Sequence, residues 1–458
     1  MEALETILER NQQTILLDHL KTLSGEKLEN FKKQLQAVDW DYITTLTKEY
    51  VLQKPVTAIP DDLSPAPFFP LVPRTDEQKE LYAKAKETGK ALISAGKVAA
   101  LTVAGGQGTR LGYNAPKGTF PITPVRKKTL FQYFAESLAR VSEKYGFQIP
   151  WLIMTSELND ADTRAFFKKN DFFGLSEESV HFFTQGTMPA IRYDGKCFPA
   201  EPGSLALAPD GHGGTLLALR KSGLLDAMKK AGVEYISYFQ VDNPLVPVVN
   251  PFFIGLHALE KSEMSSIMLA KTNAFEKLGN FCITNGKLQI IEYSDMPKEL
   301  AERTNPDGTL SFLAGSPAIH VITLDFVERL TATGRLELPW HRADKKVAYL
   351  ENGEIITPEE PNAVKLEAFI FDALPLANRT MILEADRKEC FAPTKNKTGV
   401  DSVESCREML AARDARRLRL AGIQVPEGAV VELSPRDVFD DEDAANFFRN
   451  LVPTAYGR

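Results

Sequence analysis

The hydrophobic positions of the chain follow three successive rhythms. Over residues 1–50, Leu4, Ile7 and Leu8, then Ile15, Leu16, His19 and Leu20 recur three and four apart, the spacing that gathers side chains on one helix face. That rhythm breaks at "VLQKPVTAIPDDLSPAPFFPLVP", which carries six prolines. Proline fixes φ and lacks a backbone donor, so this segment is neither helix nor central strand and is expected to be a linker or wrapping arm. From about residue 90, apolar runs alternate with amphipathic stretches. In order they are the strand "VAALTVA", a glycine loop, and the helix "TLFQYFAESLARVSEKYG" with Leu130, Phe134, Leu138 and Val141 on one face; then the strand "IPWLIMTS", a helix near "DADTRAFFKKN", the strand "SVHFFTQ", a helix from Gly214 to about Ala231, and the strand "EYISYFQVDN". This alternation implies a doubly wound α/β sheet.

Between residues 264 and 325 strands predominate, with Asn285-Gly286 separating "NFCIT" from "LQIIEYS". Both turn residues tolerate positive φ, so a hairpin and a mixed extension of the sheet are expected there. After "KLEAFIFDALPLA" and "TMILEADR" come the loop "FAPTKNKTGVDS", a basic helix to about Leu420 and "GAVVELSP", which read as a small C-terminal lobe. The expected division is N-terminal helices with the proline-rich arm over 1–78, a main domain over 79–390 and a small domain over 391–458.

Composition narrows the class. A chain of 458 residues, 43% hydrophobic and 25% charged, is globular and exceeds the size at which one core stops growing. A formal net charge of −7 disfavours nucleic acid or an anionic membrane as the main partner, because both select a basic face. Cys197, Cys282, Cys390 and Cys406 are far apart without a CxxC pair, so neither a disulfide framework nor a zinc knuckle is suggested. No run approaches the roughly 20 apolar residues of a membrane span, and the acidic, helically patterned N-terminus is unlike a signal peptide. A cytoplasmic protein, monomeric or weakly homo-oligomeric, is expected.

The candidate chemistry centres on "VAGGQGTRLGYNAPKG", residues 103–118. It lacks the G-x-x-x-x-G-K-[ST] of a Walker loop, and no acidic residue ends the next strand as a nicotinamide site requires. What remains is a glycine loop whose backbone N–H groups are free to approach phosphates, with Arg110 inside it and Lys117 just beyond. Asp242 ends "EYISYFQVDN", where the carboxyl ends of parallel strands place ligands. The residues alone leave other readings open: a turn for the glycines, a helix cap for Asp242, a turn-capping amide for Gln185, strand core for Phe369 and Phe371, and solvated charges for Lys365 and Lys395.

"LTVAGGQGTRLGYNAPKG", "FFTQGTMPAI", "APDGHGG", "VDNPLV", "IIEYSDMP" and "KLEAFIFD" occur in the order found in eukaryotic-type UDP-N-acetylglucosamine pyrophosphorylases, so the chain from about residue 80 to 435 resembles that branch of the UTP:sugar-1-phosphate uridylyltransferase family. The resemblance implies a Rossmann-like, GT-A-like nucleotidyltransferase domain with a doubly wound mixed sheet, flanked by a helical N-terminal and a small C-terminal domain. It implies transfer of a uridylyl group from UTP to a sugar 1-phosphate, releasing pyrophosphate, with Mg²⁺ or Mn²⁺ as cofactor.

By the same resemblance, Arg110, Lys117, Lys365 and Lys395 serve the phosphates, and Asp242 holds the metal. Ala104, Gly105, Gly106, Gln185 and Gly211 contact the nucleotide. His212, Gly279, Glu292, Tyr293, Ser316, Phe369 and Phe371 contact the sugar. Two positions depart from the pattern: His212 in "PDGHGG" and Ser316 in "AGSPAIH" stand where that branch carries asparagine. "GHG" is the form in glucose-1-phosphate uridylyltransferases. N-acetylglucosamine 1-phosphate is the expected sugar. The alternatives are a glucose-1-phosphate enzyme, a broad-specificity UDP-sugar pyrophosphorylase and an inactive nucleotide-sugar binding protein.

Overall fold

The structure is a computed structural model that describes residues 3–54 and 59–451. Residues 55–58 of the proline-rich arm and 452–458 of the expected C-terminal lobe lie outside the described residues. Two compact units interleave along the chain. One comprises 1–59, 185–217 and 336–372; the other comprises 60–184, 218–335 and 373–458. The boundaries expected at 78/79 and 390/391 both fall inside the second unit.

The second unit is built on an 11-stranded mixed sheet. Its parallel heart is Tyr235–Gln240, Val98–Val103, Trp151–Thr155 and Val180–Thr184, in that spatial order. Val98, Ala99, Ala100 and Leu101 are all at most 2% exposed, which explains why this strand reads as a continuous apolar run rather than an alternating one. His320–Thr323 joins antiparallel to Tyr235–Gln240 and leads to Met264–Ala270, Ala314–Ser316 and Gly279–Thr284. The hairpin to Lys287–Ile291 turns through Asn285 at φ 48° and Gly286 at φ 69°, as the Asn-Gly pair requires. Part of the proline-rich arm forms the outermost strand, Ser64–Pro65, an edge position where a missing N–H is tolerated.

The helix expected from Gly214 to Ala231 is two helices, Thr215–Lys221 and Leu224–Lys230, because Gly223 adopts a left-handed φ of 77° between them. The basic helix, Val403–Leu420, turns Cys406 and Leu410 into the main core and buries Arg413 and Arg417 to 7% and 8% exposure. Arg413 is held by Asp414 and by the hydroxyl of Tyr133. The C-terminal segment is thus built into the sheet's own core.

In the first unit the N-terminal helices Leu4–Arg10, Thr14–Thr22, Gly25–Gln36 and Trp40–Leu46 pack on hairpins drawn from 185–217. Gln13 Oε1 accepts the Cys197 N–H at 2.8 Å and Gln34 Oε1 accepts that of Leu205 at 2.8 Å. A three-stranded sheet, Trp340–Lys345, Ala363–Ala368 and Ile191–Arg192, completes this unit. The four cysteines are free and buried, and among the described residues no helix is long and apolar enough to cross a membrane.

In the second unit, helices Asp76–Ser94 and Pro251–Leu259 cross at two glycines: a Cβ on Gly89 would lie 1.7 Å from the Pro251 carbonyl oxygen, and one on Gly255 1.7 Å from that of Ala85. Both obstacles are backbone, so the helices must separate to admit a methyl group. Gly255→Ala is therefore expected to destabilise the protein by about 3 kcal/mol or more, the upper range for overpacking. Equilibrium unfolding checks this, and a change under about 0.5 kcal/mol would contradict it.

Candidate active site

The chain enters the parallel sheet at Val98–Val103, steps outward through Trp151–Thr155 to Val180–Thr184, and later returns to place Tyr235–Gln240 on the opposite flank of Val98–Val103. Connections leaving these two adjacent strands diverge, which opens a crevice at their carboxyl ends. Register makes the ends coincide, Gln240 lying opposite Val103. The glycine loop emerges from one strand and Asp242 from the other.

The loop is braced from behind. Asn159 Nδ2 donates to the Ala104 carbonyl at 2.9 Å, Ser156 Oγ to that of Gly105 at 2.8 Å, and the Lys117 N–H to that of Gly106 at 3.1 Å. A Cβ added to Gly106 would meet no protein atom within 4 Å, so this glycine fronts open space where a ligand can approach the backbone. Arg110 lies exposed in the short turn Thr109–Leu111.

Lys117, only 7% exposed, places Nζ 3.6 Å from Oδ2 of Asp242. A lysine so buried requires a compensating anion. Asp242 does not cap a helix: the next one, Pro251–Leu259, is capped by Asn250. The Asp242 carbonyl instead accepts the Thr394 N–H at 2.8 Å, tying Lys395's own segment to the strand end. Burial raises the pKa of the neighbouring Asp401; the Lys395 charge opposes this, and the Asp242 charge adds to it. Lys117, Asp242 and the segment carrying Lys395 thus form one cluster of charges.

Gly279 and Ser316 face each other across a strand pair, and Glu292 Oε1 is 3.6 Å from where a Cβ on Gly279 would sit. Tyr293, the next residue, is 44% exposed. Ser316 Oγ accepts the N–H of Ala318 at 3.4 Å; Ala318 has φ 59°, a left-handed conformation costly for alanine.

In the other unit, Gln185 Nε2 donates to the Gly211 carbonyl at 2.8 Å. Gly211, at φ 85°, lies so close to Ala368 that a Cβ would come within 2.3 Å of its carbonyl oxygen. That approach sets the loop against the end of strand Ala363–Ala368, so that His212 stacks on Phe369 with centroids 5.3 Å apart and 17° between planes. Nδ1 of His212 accepts the Ile370 N–H at 3.2 Å, leaving Nε2 to carry the proton of the neutral ring. Burial, helped by the nearby His341, pushes the pKa of His212 down to about 4, so the ring is neutral at physiological pH. Phe369 and Phe371 follow the strand rather than belonging to it and are half-buried. That position sets aside the strand-core reading, and the two rings lie 5.2 Å apart. Lys365 is half-buried on the strand itself, opposite Ala343.

The sequence-predicted residues therefore gather in three clusters. Ala104, Gly105, Gly106, Arg110, Lys117, Asp242 and Lys395 form one, and Gly279, Glu292, Tyr293 and Ser316 another, both in the second unit. Gln185, Gly211, His212, Phe369 and Phe371 form the third in the first unit, where Lys365 stands on the adjacent strand. Sequence reasoning missed the residues that brace them. Asn159 stands at the N-cap position of helix Asp160–Lys169 without a side-chain cap bond, and its amide serves the loop instead. Lys271, 6% exposed, donates to Asn280 Oδ1 beside Gly315, and burial lowers its pKa; nothing in "LAKTN" signals this.

Comparison with known proteins identifies the family of the chain. The family described as UTP–glucose-1-phosphate uridylyltransferase matches residues 17–414. The chain is 35% identical over 396 residues to the UDP-N-acetylglucosamine pyrophosphorylase of Saccharomyces cerevisiae, covering 84% of this chain and 82% of that protein. It is 37% identical over 339 residues to the UDP-N-acetylhexosamine pyrophosphorylase-like protein 1 of Xenopus tropicalis, covering 72% and 66%. The crystal structure of a putative UDP-N-acetylglucosamine pyrophosphorylase from Entamoeba histolytica superposes with a TM-score of 0.75 at 32% identity, over 84% of this chain and 97% of that one. With a family match over most of its length and a crevice that gathers a glycine loop, a buried lysine and an aspartate, the chain belongs to the UTP–glucose-1-phosphate uridylyltransferase family and is a nucleotidyltransferase.

Proposed function

We propose that this enzyme converts UTP and N-acetylglucosamine 1-phosphate to UDP-N-acetylglucosamine and pyrophosphate in the cytoplasm. The observation that carries the reading is the Lys117–Asp242 pair at 3.6 Å in front of the open glycine loop. A buried cation beside a carboxylate at a strand-end crevice suits a nucleoside triphosphate, and the names of the relatives supply the sugar.

In the proposed reaction an oxygen of the sugar phosphate bonds to the α-phosphorus of UTP as the α–β P–O bond breaks. The electron pair of that bond leaves with pyrophosphate. The nucleophile is already largely a dianion near neutral pH, its second pKa being about 6, so the enzyme needs no general base. The protein's work is positioning and charge neutralisation. Lys117 and Arg110 neutralise the triphosphate and the charge growing on the leaving group, with Lys365 and Lys395 serving the phosphates. Backbone at Ala104, Gly105, Gly106 and Gly211 and the amide of Gln185 hold the nucleoside. Gly279, Glu292, Tyr293, Ser316, His212, Phe369 and Phe371 hold the sugar.

Among the described residues no group of three or more His, Cys, Asp or Glu side chains converges to cage a metal ion. Mg²⁺ does not require one, since it binds through one or two carboxylates plus phosphate oxygens, and Asp242 supplies a hard oxygen donor. When bound there, Mg²⁺ or Mn²⁺ neutralises phosphate charge.

Pyrophosphate release from UTP with a panel of sugar 1-phosphates tests the assignment; release with none of them would leave a binding protein. Lys117→Ala is expected to lower kcat about 10²-fold or more while changing UTP affinity far less, because its charge matters most as the bond breaks. Activity within a few-fold of wild type would remove Lys117 from catalysis. EDTA should abolish turnover, and Asp242→Asn should raise the Mg²⁺ needed for half-maximal rate; an unchanged Mg²⁺ curve in the variant would take the metal away from this carboxylate. His212 offers a ring N–H where an asparagine would offer both donor and acceptor, so rejection of glucose 1-phosphate falls mainly on apolar contacts, which discriminate by only about 1–3 kcal/mol per missing group. N-acetylglucosamine 1-phosphate is therefore expected to be preferred, with glucose 1-phosphate used detectably, and His212→Asn to widen the gap. The ratio of kcat/KM values for the two sugars measures this, and a wild-type preference for glucose would overturn the substrate.

A further inference from the structure

The stacked rings at His212 and Phe369 continue to a third ring, His341, which stands on the neighbouring strand Trp340–Lys345. Its face lies on Phe369, with centroids 4.2 Å apart and planes inclined by 25°. Its edge is tied down, Nε2 lying 2.7 Å from Oδ2 of Asp372. Asp372 belongs to the turn that follows Phe369 and donates its own N–H to the Phe369 carbonyl at 3.1 Å. One imidazole is thus fixed at two points of the same turn, by its face against Phe369 and by its edge to Asp372.

Phe369 needs such a fixture. It lies past the last residue of its strand, half-buried, where neither sheet register nor a closed core dictates its side-chain angle. His212 in turn takes its orientation from three contacts on this segment: the Phe369 face, the Ile370 N–H and the tilted Phe371 ring 5.9 Å away. A carboxylate on one nitrogen of an imidazole sets the orientation of the whole ring, and a ring held in place holds what stacks on it.

We propose that His341 and Asp372 are positioning residues for the sugar-binding wall, fixing Phe369 and through it the direction in which His212 presents its Nε2–H. The proposal rests on the reading that His212 and Phe369 meet the sugar. The alternative is an ordinary surface pair: the His341 side chain is 40% exposed, and pairs of that kind contribute little.

The test uses the full chain and four variants. His341→Ala removes ring and bond, His341→Phe keeps the ring, His341→Gln keeps a donor without the ring, and Asp372→Asn weakens the tether. His341→Ala is expected to raise the KM for N-acetylglucosamine 1-phosphate about tenfold and to shrink its kcat/KM advantage over glucose 1-phosphate about fivefold. The KM for UTP and kcat should stay within about threefold. Asp372→Asn, which keeps the ring and an acceptor for it, should show the smallest loss, His341→Phe, which keeps the ring without the tether, an intermediate one, and His341→Gln nearly that of His341→Ala.

A second measurement does not depend on turnover. Side-chain ¹⁵N spectra of the protein's six histidines should show His212 as a single Nε2–H tautomer in the wild type and in His341→Phe, and as a tautomer average in His341→Ala. Unchanged sugar parameters together with an unchanged His212 signal would overturn the proposal. So would a proportional fall in all kinetic parameters, UTP included, in both His341→Ala and His341→Phe. A wild type that turns over no sugar 1-phosphate would instead overturn the functional reading, while the His212 signal would still decide whether His341 positions that ring.

Discussion

The candidate site depends on the parallel pairing of Val98–Val103 with Tyr235–Gln240 at the point where strand order reverses. Because these strands end in register, two segments 137 positions apart, the glycine loop after Val103 and the residues after Gln240, begin side by side. Only that coincidence brings Lys117 to 3.6 Å from Asp242. Neither charge would be stable so nearly enclosed by itself, since the penalty of removing an ion from water is offset only by a partner at close range. The pairing of strands is therefore also the condition under which this pair of charges can exist at the crevice.

A second constraint recurs in both units. The groups expected to touch substrate sit on loops and strand ends, where the backbone is least determined, and each is held by a side chain or a backbone N–H from another segment. Asn159 and Ser156 hold the carbonyls of the glycine loop, the Thr394 amide holds the carbonyl of Asp242, and His341 and Ile370 hold the rings at Phe369 and His212. Such support is what turns a flexible segment into a preorganised one, because a group must already be in place to stabilise a transition state without first being ordered.

The same dependence explains the interleaved units. The first 50 or so residues carry a helical pattern, but their polar side chains complete backbone hydrogen bonds of residues nearly two hundred positions away, as Gln13 does for Cys197. The last 60 or so residues carry helices whose apolar residues, Cys406 and Leu410, finish the core beneath the main sheet. Segment boundaries visible as proline-rich or charged stretches mark where the chain changes local structure. They do not mark where one packed body ends, because burial is decided by which surfaces meet.

What the sequence by itself determined was local. Continuous apolar runs located the strands of the parallel heart, the 3.6-residue period located the helix over Leu130–Tyr145, and Asn285-Gly286 located its hairpin. One local signal was overridden by another local one, as when Gly223 divided an expected single helix. The tertiary structure decided what depends on distance. It made Asp242 a partner of Lys117 rather than a helix cap, gave the loop a brace in Asn159, and made Phe369 a ring stacked between His212 and His341 rather than strand core. Spacing along a chain reports only the neighbours that a regular helix or strand creates, whereas an ion pair or a ring stack between segments exists only after the sheet has set their register.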